Sequence, residues 1–552
     1  MIALDAPGAP DTVALKTDVL VIGGGMAGAW AAIAASRAGA AVILVDKGYC
    51  GTSGVTATAG PGHWWVPLDP PDARPSAIAA RNLGAAGLGD PLWMAGVIDL
   101  TWRVLPTLAS HYNFPRNEAG ALQFRGLRGP EYMRALRSLA LDLGVRILDH
   151  WPALELLRAS DDAIAGARGV QRQHGNRPWQ ISAGAVLLAT GGTSFRSHLL
   201  GAHNNTGDGY LMGAEAGATL SGMEFTAAYT VAPKRSNMTR TMSYAYASYT
   251  DAAGRALEIP AGPDNSRALA RALLQGPVFC RFDRMPDQVR RWLPSISPNV
   301  MLPFDRWGID PWRDRFEVTL HNDGTIRGTG GLRVTGGDCS VGVPGLYAAG
   351  DAATRELVAG AISGGGAQNS AWALSSAHWA ARAAADFARQ RAPVAGALQP
   401  LGQAGLRPAR GARDVDTQQA VAAVQAQMHP YDRNLFRTGA GLQNSAQVLE
   451  SVWAEIRDHG HDAGDPLRLR EAAAMTATAR WSVAAALQRR ESRGMHQRND
   501  LPASDPAQAR RQEVGGLDAV WVRPEAQAPQ PPAIPLAVPP AISESQPVAA
   551  PA

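Results

Sequence analysis

Apolar residues fall along this chain in two rhythms. From Val19 to Ile22 they follow one another without a polar break, the pattern of a strand buried on both faces. Glycines interrupt the run, and an Ala-rich stretch to about Arg37 then reads as a helix that Gly39 closes. A second apolar run, "AVILV", ends on Asp46. Two more, "AVLLATGGTS" (185–194) and "PGLYAAGDAA" (344–353), predict strands that feed the same sheet from far along the chain. The second rhythm is helical. It governs residues from about 415 to 500, where Leu442, Ser445, Leu449, Val452 and Ile456 mark one face at 3–4 spacing. Residues from about 222 to 330 show no strand–helix alternation and are richer in Tyr, Arg, Pro and Trp.

These patterns predict an α/β protein with a Rossmann-like dinucleotide-binding domain in two parts, residues 1–221 and 331–410. An inserted α+β capping (lid) domain occupies 222–330, and a C-terminal helical domain 411–502. An extension follows at 503–552, and its Pro/Ala/Gln-rich end beyond about 522 is expected to be a disordered tail.

The first turn carries specific chemistry. Gly23, Gly25 and Gly28 fit G-x-G-x-x-G between a strand and a helix, with Asp46 about 20 residues on. Gly23 permits the tight turn, Gly25 lets backbone approach a pyrophosphate, and Gly28 lets helix pack on strand. The N–H groups at the helix start face the phosphates, and Asp46 accepts from a ribose hydroxyl. This spacing serves FAD and NAD alike. The later strands, with a second strand-end acid at Asp351, favour FAD, because an NAD domain would be complete within one continuous stretch.

Composition narrows the class. With 46% hydrophobic and 18% charged residues the 552-residue chain is globular, and its length predicts two or three domains. A net charge of +4 without basic blocks gives no nucleic-acid footprint. Cys50, Cys280 and Cys339 are too scattered for a disulfide framework, a zinc site or an iron–sulfur cluster, and no metal site is expected. Asp5, Asp11 and Asp18 precede the apolar run Val19–Ala35 where a signal peptide would be cationic, so a cytoplasmic protein without a membrane span is expected.

Several stretches together resemble one family. "DVLVIGGGMAGAWAA", "TSGVTATAG", "LLATGG", "NTGDGYLMGAEAGATLSGMEF", "VPGLYAAGDAA", "GGGAQNSAWAL" and "RRESRGMHQRNDLP" occur, between about residues 16 and 502, in the order found in the flavoprotein subunits of succinate dehydrogenase and fumarate reductase. L-aspartate oxidase and the adenylylsulfate reductase flavoprotein are members of that family. The resemblance implies an FAD-dependent oxidoreductase. It implies FAD contacts from Gly23, Gly25, Met26, Ala27, Gly28, Asp46, Lys47, Thr52, Ser53, Gly60, Thr190, Gly191, Asp208 and Asp351. The loop from Gly364 to Ser370, with Asn369 and Ser370, would lie against the flavin ring. Respiratory members bind FAD covalently through a histidine where this chain has Gly54, so noncovalent FAD is implied.

Departures from the family bear on the substrate. The histidine after "MEF" is missing from "TAAYTV", and a second is replaced by Ile326. An arginine before the Asn-Ser pair is replaced by glycine at about Gly365, and "RGEGG" has no counterpart in "SYAYASYTDAAGRALE". These four losses argue against a dicarboxylate. Replacement candidates are Arg327, His63 with Trp64 and Trp65 as an aromatic wall, and hydroxyls of Tyr229, Tyr244 and Tyr246; Arg240 and Arg333 are further cations. Each residue type serves equally as packing or surface, as His321 does before a turn. The expected function is hydride or electron-pair exchange with a small organic molecule that is not succinate or fumarate. A ferredoxin-like iron–sulfur partner then gives or takes the electrons. A stand-alone oxidase and a catalytically inactive FAD-binding assembly protein are the alternatives.

Overall fold

The computed structural model describes residues 12–533 apart from 59, 117–119, 125, 240, 263, 297, 364, 393, 395 and 462–464. Its central sheet starts with β1 (Val13–Ile22), followed by helix α1 (Met26–Arg37) and β2 (Val42–Asp46). The first half of β1 alternates between half-buried and exposed residues, whereas Val19–Ile22 is buried throughout. That change marks where helices cover the sheet: α1 packs against the long helix Gly365–Gln390, which also rests on β1. Ala-rich faces on both helices permit this close approach.

Four more strands follow: β3 (Arg146–Asp149), β4 (Ala153–Arg158), β5 (Ile164–Gln171) and β6 (Arg177–Leu188). β1 lies between β2 and β6, parallel to both, and the strand Leu346–Ala348 adds to the end of β6. The two distant apolar runs therefore join the first βαβ unit, which makes this the α/β Rossmann-like FAD-binding fold.

Residues 229–322 supply a separate five-stranded antiparallel sheet. Its own core includes Tyr244, Phe282, Phe304 and Phe316. Three helices, Thr417–Met428, Gly439–His459 and Pro466–Gln488, pack together toward the C-terminus. On the second of these Leu442, Ser445, Leu449 and Ile456 are buried, and Val452 is half-buried.

The C-terminal extension differs from expectation. Gln512–Gly515 pairs with Trp521–Pro524 and with Leu220–Ser221, so the chain beyond 522 begins as an ordered strand. Val514 is fully buried at that junction. Alternation over so short a hairpin is a weak signal, and its partner strand lies some 290 residues upstream. Residues 534–552 of the expected tail lie outside the described residues.

Candidate functional site

A long cleft runs along the C-terminal ends of β1, β2 and β6 and reaches Thr239, Ile326 and Arg327 beside the lid. The three motif glycines shape its edge in three different ways, with Gly23 and Gly25 lining it and Gly28 just behind them. Gly23 has φ +108°, and a Cβ there would strike the Ala189 carbonyl. A Cβ on Gly28 would strike the carbonyl of Gly23. Gly25 lines the cleft with nothing within 4 Å of a Cβ position. Only Gly25 therefore leaves room that a ligand can take. Met26 and Ala27 follow it in the first turn of α1, which has no side-chain cap. Its N–H groups are available to an anion.

Two acids and a lysine set one end of the cleft. Asp46 accepts from Gly24 N, from Gly48 N at 2.6 Å and from Ser53 Oγ at 2.9 Å. Lys47 donates to Asp208 Oδ2 at 2.7 Å, Glu471 Oε1 at 2.8 Å and Thr206 Oγ1 at 2.8 Å. Burial works against its charge, but the two carboxylates outweigh that and hold the Lys47 pKa above its ordinary value. Glu471 belongs to the C-terminal helices, and no motif pointed to it. Thr190 and Gly191 complete this end, Gly191 at φ +74°.

Toward the other end Gly54, Gly60, Asn369 and Ser370 line the cleft. Asn369 Oδ1 is buried without a hydrogen-bond partner among the described residues. Asp351 lines the cleft and pairs with Arg355, which is almost fully buried. Burial raises the Asp351 pKa, and Arg355 offsets part of that rise. The same guanidinium donates to the carbonyls of Thr325, at 2.8 Å, of Ile326, at 2.6 Å, and of Gly328. Arg355 thus ties a cleft acid to the segment where the lid chain returns. Gly364 lies outside the described residues, and Thr52 is exposed and does not line the cleft.

The lid side is closed by Leu199, Leu200, Thr239, Ile326 and Arg327. Among the described residues the cations lining the cleft are Lys47 and Arg327. Arg327 Nε lies 3.5 Å from Asp323 Oδ2. Of the three catalytic candidates, the structure brings only Arg327 to the cleft. His63 is 1% exposed, with Nε2 3.1 Å from Tyr132 Oη, and burial lowers its pKa to about 3. Trp65 stacks on Trp102 at 4.1 Å, so the expected aromatic wall is core packing. Tyr244 is buried against Phe282 at 5.1 Å within the lid core, where burial raises its pKa well above the usual phenol value. Tyr229 donates to His429 O at 3.0 Å, and its ring too is buried. His321 contacts Ser236 O at 2.9 Å, Arg333 pairs with Glu525 at 3.0 Å, and Arg240 lies outside the described residues.

Asp323 is buried behind Arg327, and burial lifts its pKa to about 6 against the pull of Arg327 and the Thr230 hydroxyl. The folded state therefore binds this proton more tightly than the unfolded chain, and stability falls as pH rises from about 4 to about 6. Asp323→Asn removes that loss. In urea unfolding, the variant's stability relative to wild type is expected to be higher near pH 7 than near pH 4 by roughly 3 kcal/mol. An equal difference at both pH values would contradict the raised pKa.

A bare glycine over open space, an uncapped helix start and an orphaned amide oxygen along one cleft fit a dinucleotide with a flat ring. The fold and this cleft define an FAD-dependent oxidoreductase. A profile described as FAD dependent oxidoreductase matches residues 18–83, and one described as FAD binding domain matches 102–236. A third, Fumarate reductase flavoprotein C-term, matches 424–523. L-aspartate oxidase of Mycobacterium tuberculosis is 29% identical over 547 residues, covering 91% of this chain and 95% of its own. A probable fumarate reductase of Shewanella frigidimarina is 27% identical over 259 residues, 40% of this chain and 42% of its own. In fold, a mutant E. coli quinol fumarate reductase FrdA superposes with a TM-score of 0.77 at 19% identity, over 96% of this chain and 98% of its own. The chain thus carries FAD-binding and fumarate reductase flavoprotein C-terminal domains and is similar over nearly its whole length to L-aspartate oxidases. Among the described residues no helix is long and apolar enough to cross a membrane.

Proposed function

We propose that FAD lies along the cleft, with its adenosine toward Asp46, Thr190 and Asp208, its pyrophosphate against Gly23–Gly28 and its ring toward Gly60, Asn369 and Ser370. Bound there, FAD supplies hydride or electron-pair exchange. Gly54 stands where a covalent link would need histidine, so the FAD is held without a covalent bond. Acid precipitation of purified protein is expected to release all the yellow colour; colour held in the pellet would refute this.

The substrate is a small monoanion or a neutral, partly apolar molecule. One observation carries this reading: Arg327 is the described cation at the lid end, beside the buried Ile326. A second carboxylate would lose its hydration with no partner, which costs several kcal/mol, or two or more decades in affinity. Arg327 orients the anion, and Leu199 and Leu200 exclude water. Anaerobic mixing with succinate, and of chemically reduced protein with fumarate, is expected to leave the flavin spectrum unchanged. Rapid bleaching or reoxidation would overturn the reading.

Electrons pass to or from a separate ferredoxin-like iron–sulfur protein, since the chain's three cysteines are buried and far apart in sequence. The L-aspartate oxidases similar over nearly their full length favour a second reading, a stand-alone oxidase. Oxygen consumption with substrate and no partner protein would select it.

A further inference from the structure

The lid carries a second hollow that the cleft does not use. It lies between the ends of the strands Tyr229–Pro233 and Phe316–Asn322 and the short helix Leu302–Trp307, and its volume is about 730 Å³. That is the size of a site for a whole organic ligand. The two concavities share a thin wall. Leu199, Leu200 and Thr239 face the cleft, while their neighbours His198 and Met238 face the hollow.

Its charge is one-sided. Lys234, Arg235 and Arg306 line it, and among the described residues no carboxylate does. Glu317 pairs with Lys234 and offsets that charge. Arg235 and Arg306 have no acidic partner among the described residues, which leaves about two positive charges facing one space. Burial lowers the pKa of His321, whose ring nitrogen contacts Ser236 O at 2.9 Å, so that imidazole adds no charge near pH 7. Arg235 itself sits at φ +64°, a conformation unusual for a residue with a side chain, in a turn closed by Ser236 N to Pro233 O at 3.0 Å.

Its apolar side is as distinctive. Trp307 is 45% exposed on the rim, with Pro303 beside it and Met238 beneath. A solvent-facing indole next to two guanidinium forks suits a ligand with a flat ring and an anionic group: the ring stacks on the indole and the forks grip the anion in bidentate fashion.

We propose that this hollow is a second binding site, separate from the FAD cleft, for an aromatic organic phosphate carrying about two negative charges, of which nucleoside phosphates are the commonest class. The proposal is independent of the flavin's substrate, and its test needs no turnover. FAD-saturated protein, its occupancy checked by absorbance, is titrated by calorimetry with ADP, with adenosine and with inorganic phosphate. ADP is expected to bind at least tenfold more tightly than either fragment. Arg235→Ala/Arg306→Ala, both surface changes, should weaken ADP at least tenfold with flavin content and Tm unchanged. Trp307→Ala should weaken ADP several-fold and leave inorganic phosphate unaffected. Absence of ADP binding to the wild type, or undiminished binding in the double arginine variant, would overturn the proposal. ADP affinity unaltered by Trp307→Ala would overturn its aromatic part.

Discussion

Gly25→Val is expected to yield a folded but colourless protein. Gly25 has φ −69° and ψ −172°, an extended conformation open to any residue, and nothing lies within 4 Å of where its Cβ would stand. It offers no side-chain cap to the helix, so none is lost. The valine methyl groups would instead project into the cleft, against the place proposed for the pyrophosphate. The whole cost then falls on the ligand: the apo forms of variant and wild type should melt together, while FAD raises the Tm of the wild type alone. Gly28→Ala is the contrasting case, because its Cβ meets the Gly23 carbonyl and the turn itself must break. Wild-type flavin content in the valine variant would remove the assignment of pyrophosphate to this turn.

Arg355→Leu is expected to cost about 3–5 kcal/mol of stability, the usual penalty for stranding one member of a buried ion pair. It leaves Asp351 without its cation and takes the donor from three backbone carbonyls, those of Thr325, Ile326 and Gly328. Because Asp351, Ile326 and Arg327 all line the cleft, FAD retention should fall along with stability. Arg355→Lys keeps the charge, but one ammonium cannot reach four acceptors spread across a guanidinium, so recovery should be partial. Denaturant unfolding and flavin content together check this. A leucine variant with unaltered stability would mean that the guanidinium network contributes nothing.

Local signals in the chain indicated the parts of the site that local chemistry dictates. A strand, three glycines and an acid are contiguous in sequence, and so are they in space. The strands after residues 185 and 344 were legible because both-face burial requires unbroken apolar runs. Glu471 on Lys47 was not, since 424 residues separate them and a lone glutamate on a helix has the pattern of a surface charge. Arg355 was hidden in the same way: besides Asp351 its partners are the carbonyls of Thr325, Ile326 and Gly328, which have no sequence signature. His63 and Tyr244 misled for the converse reason. Each stands close in sequence to cleft residues, Gly60 and Thr239, yet points into apolar packing that only the folded chain reveals.

The pairing of Leu346–Ala348 with Val186–Leu188 also has a consequence for biosynthesis. During translation β1, β2 and β6 can associate once about 190 residues have left the ribosome, but the end of β6 then keeps one bare edge. It stays bare for roughly 160 further residues, through synthesis of the entire lid. An unpaired apolar strand end recruits other chains. The helix Gly365–Gln390, which covers that sheet, emerges later still, so cofactor capture comes late in the life of the nascent chain. The lid is thus made and able to fold first, beside a half-built nucleotide domain whose exposed edge is where chaperones would be needed.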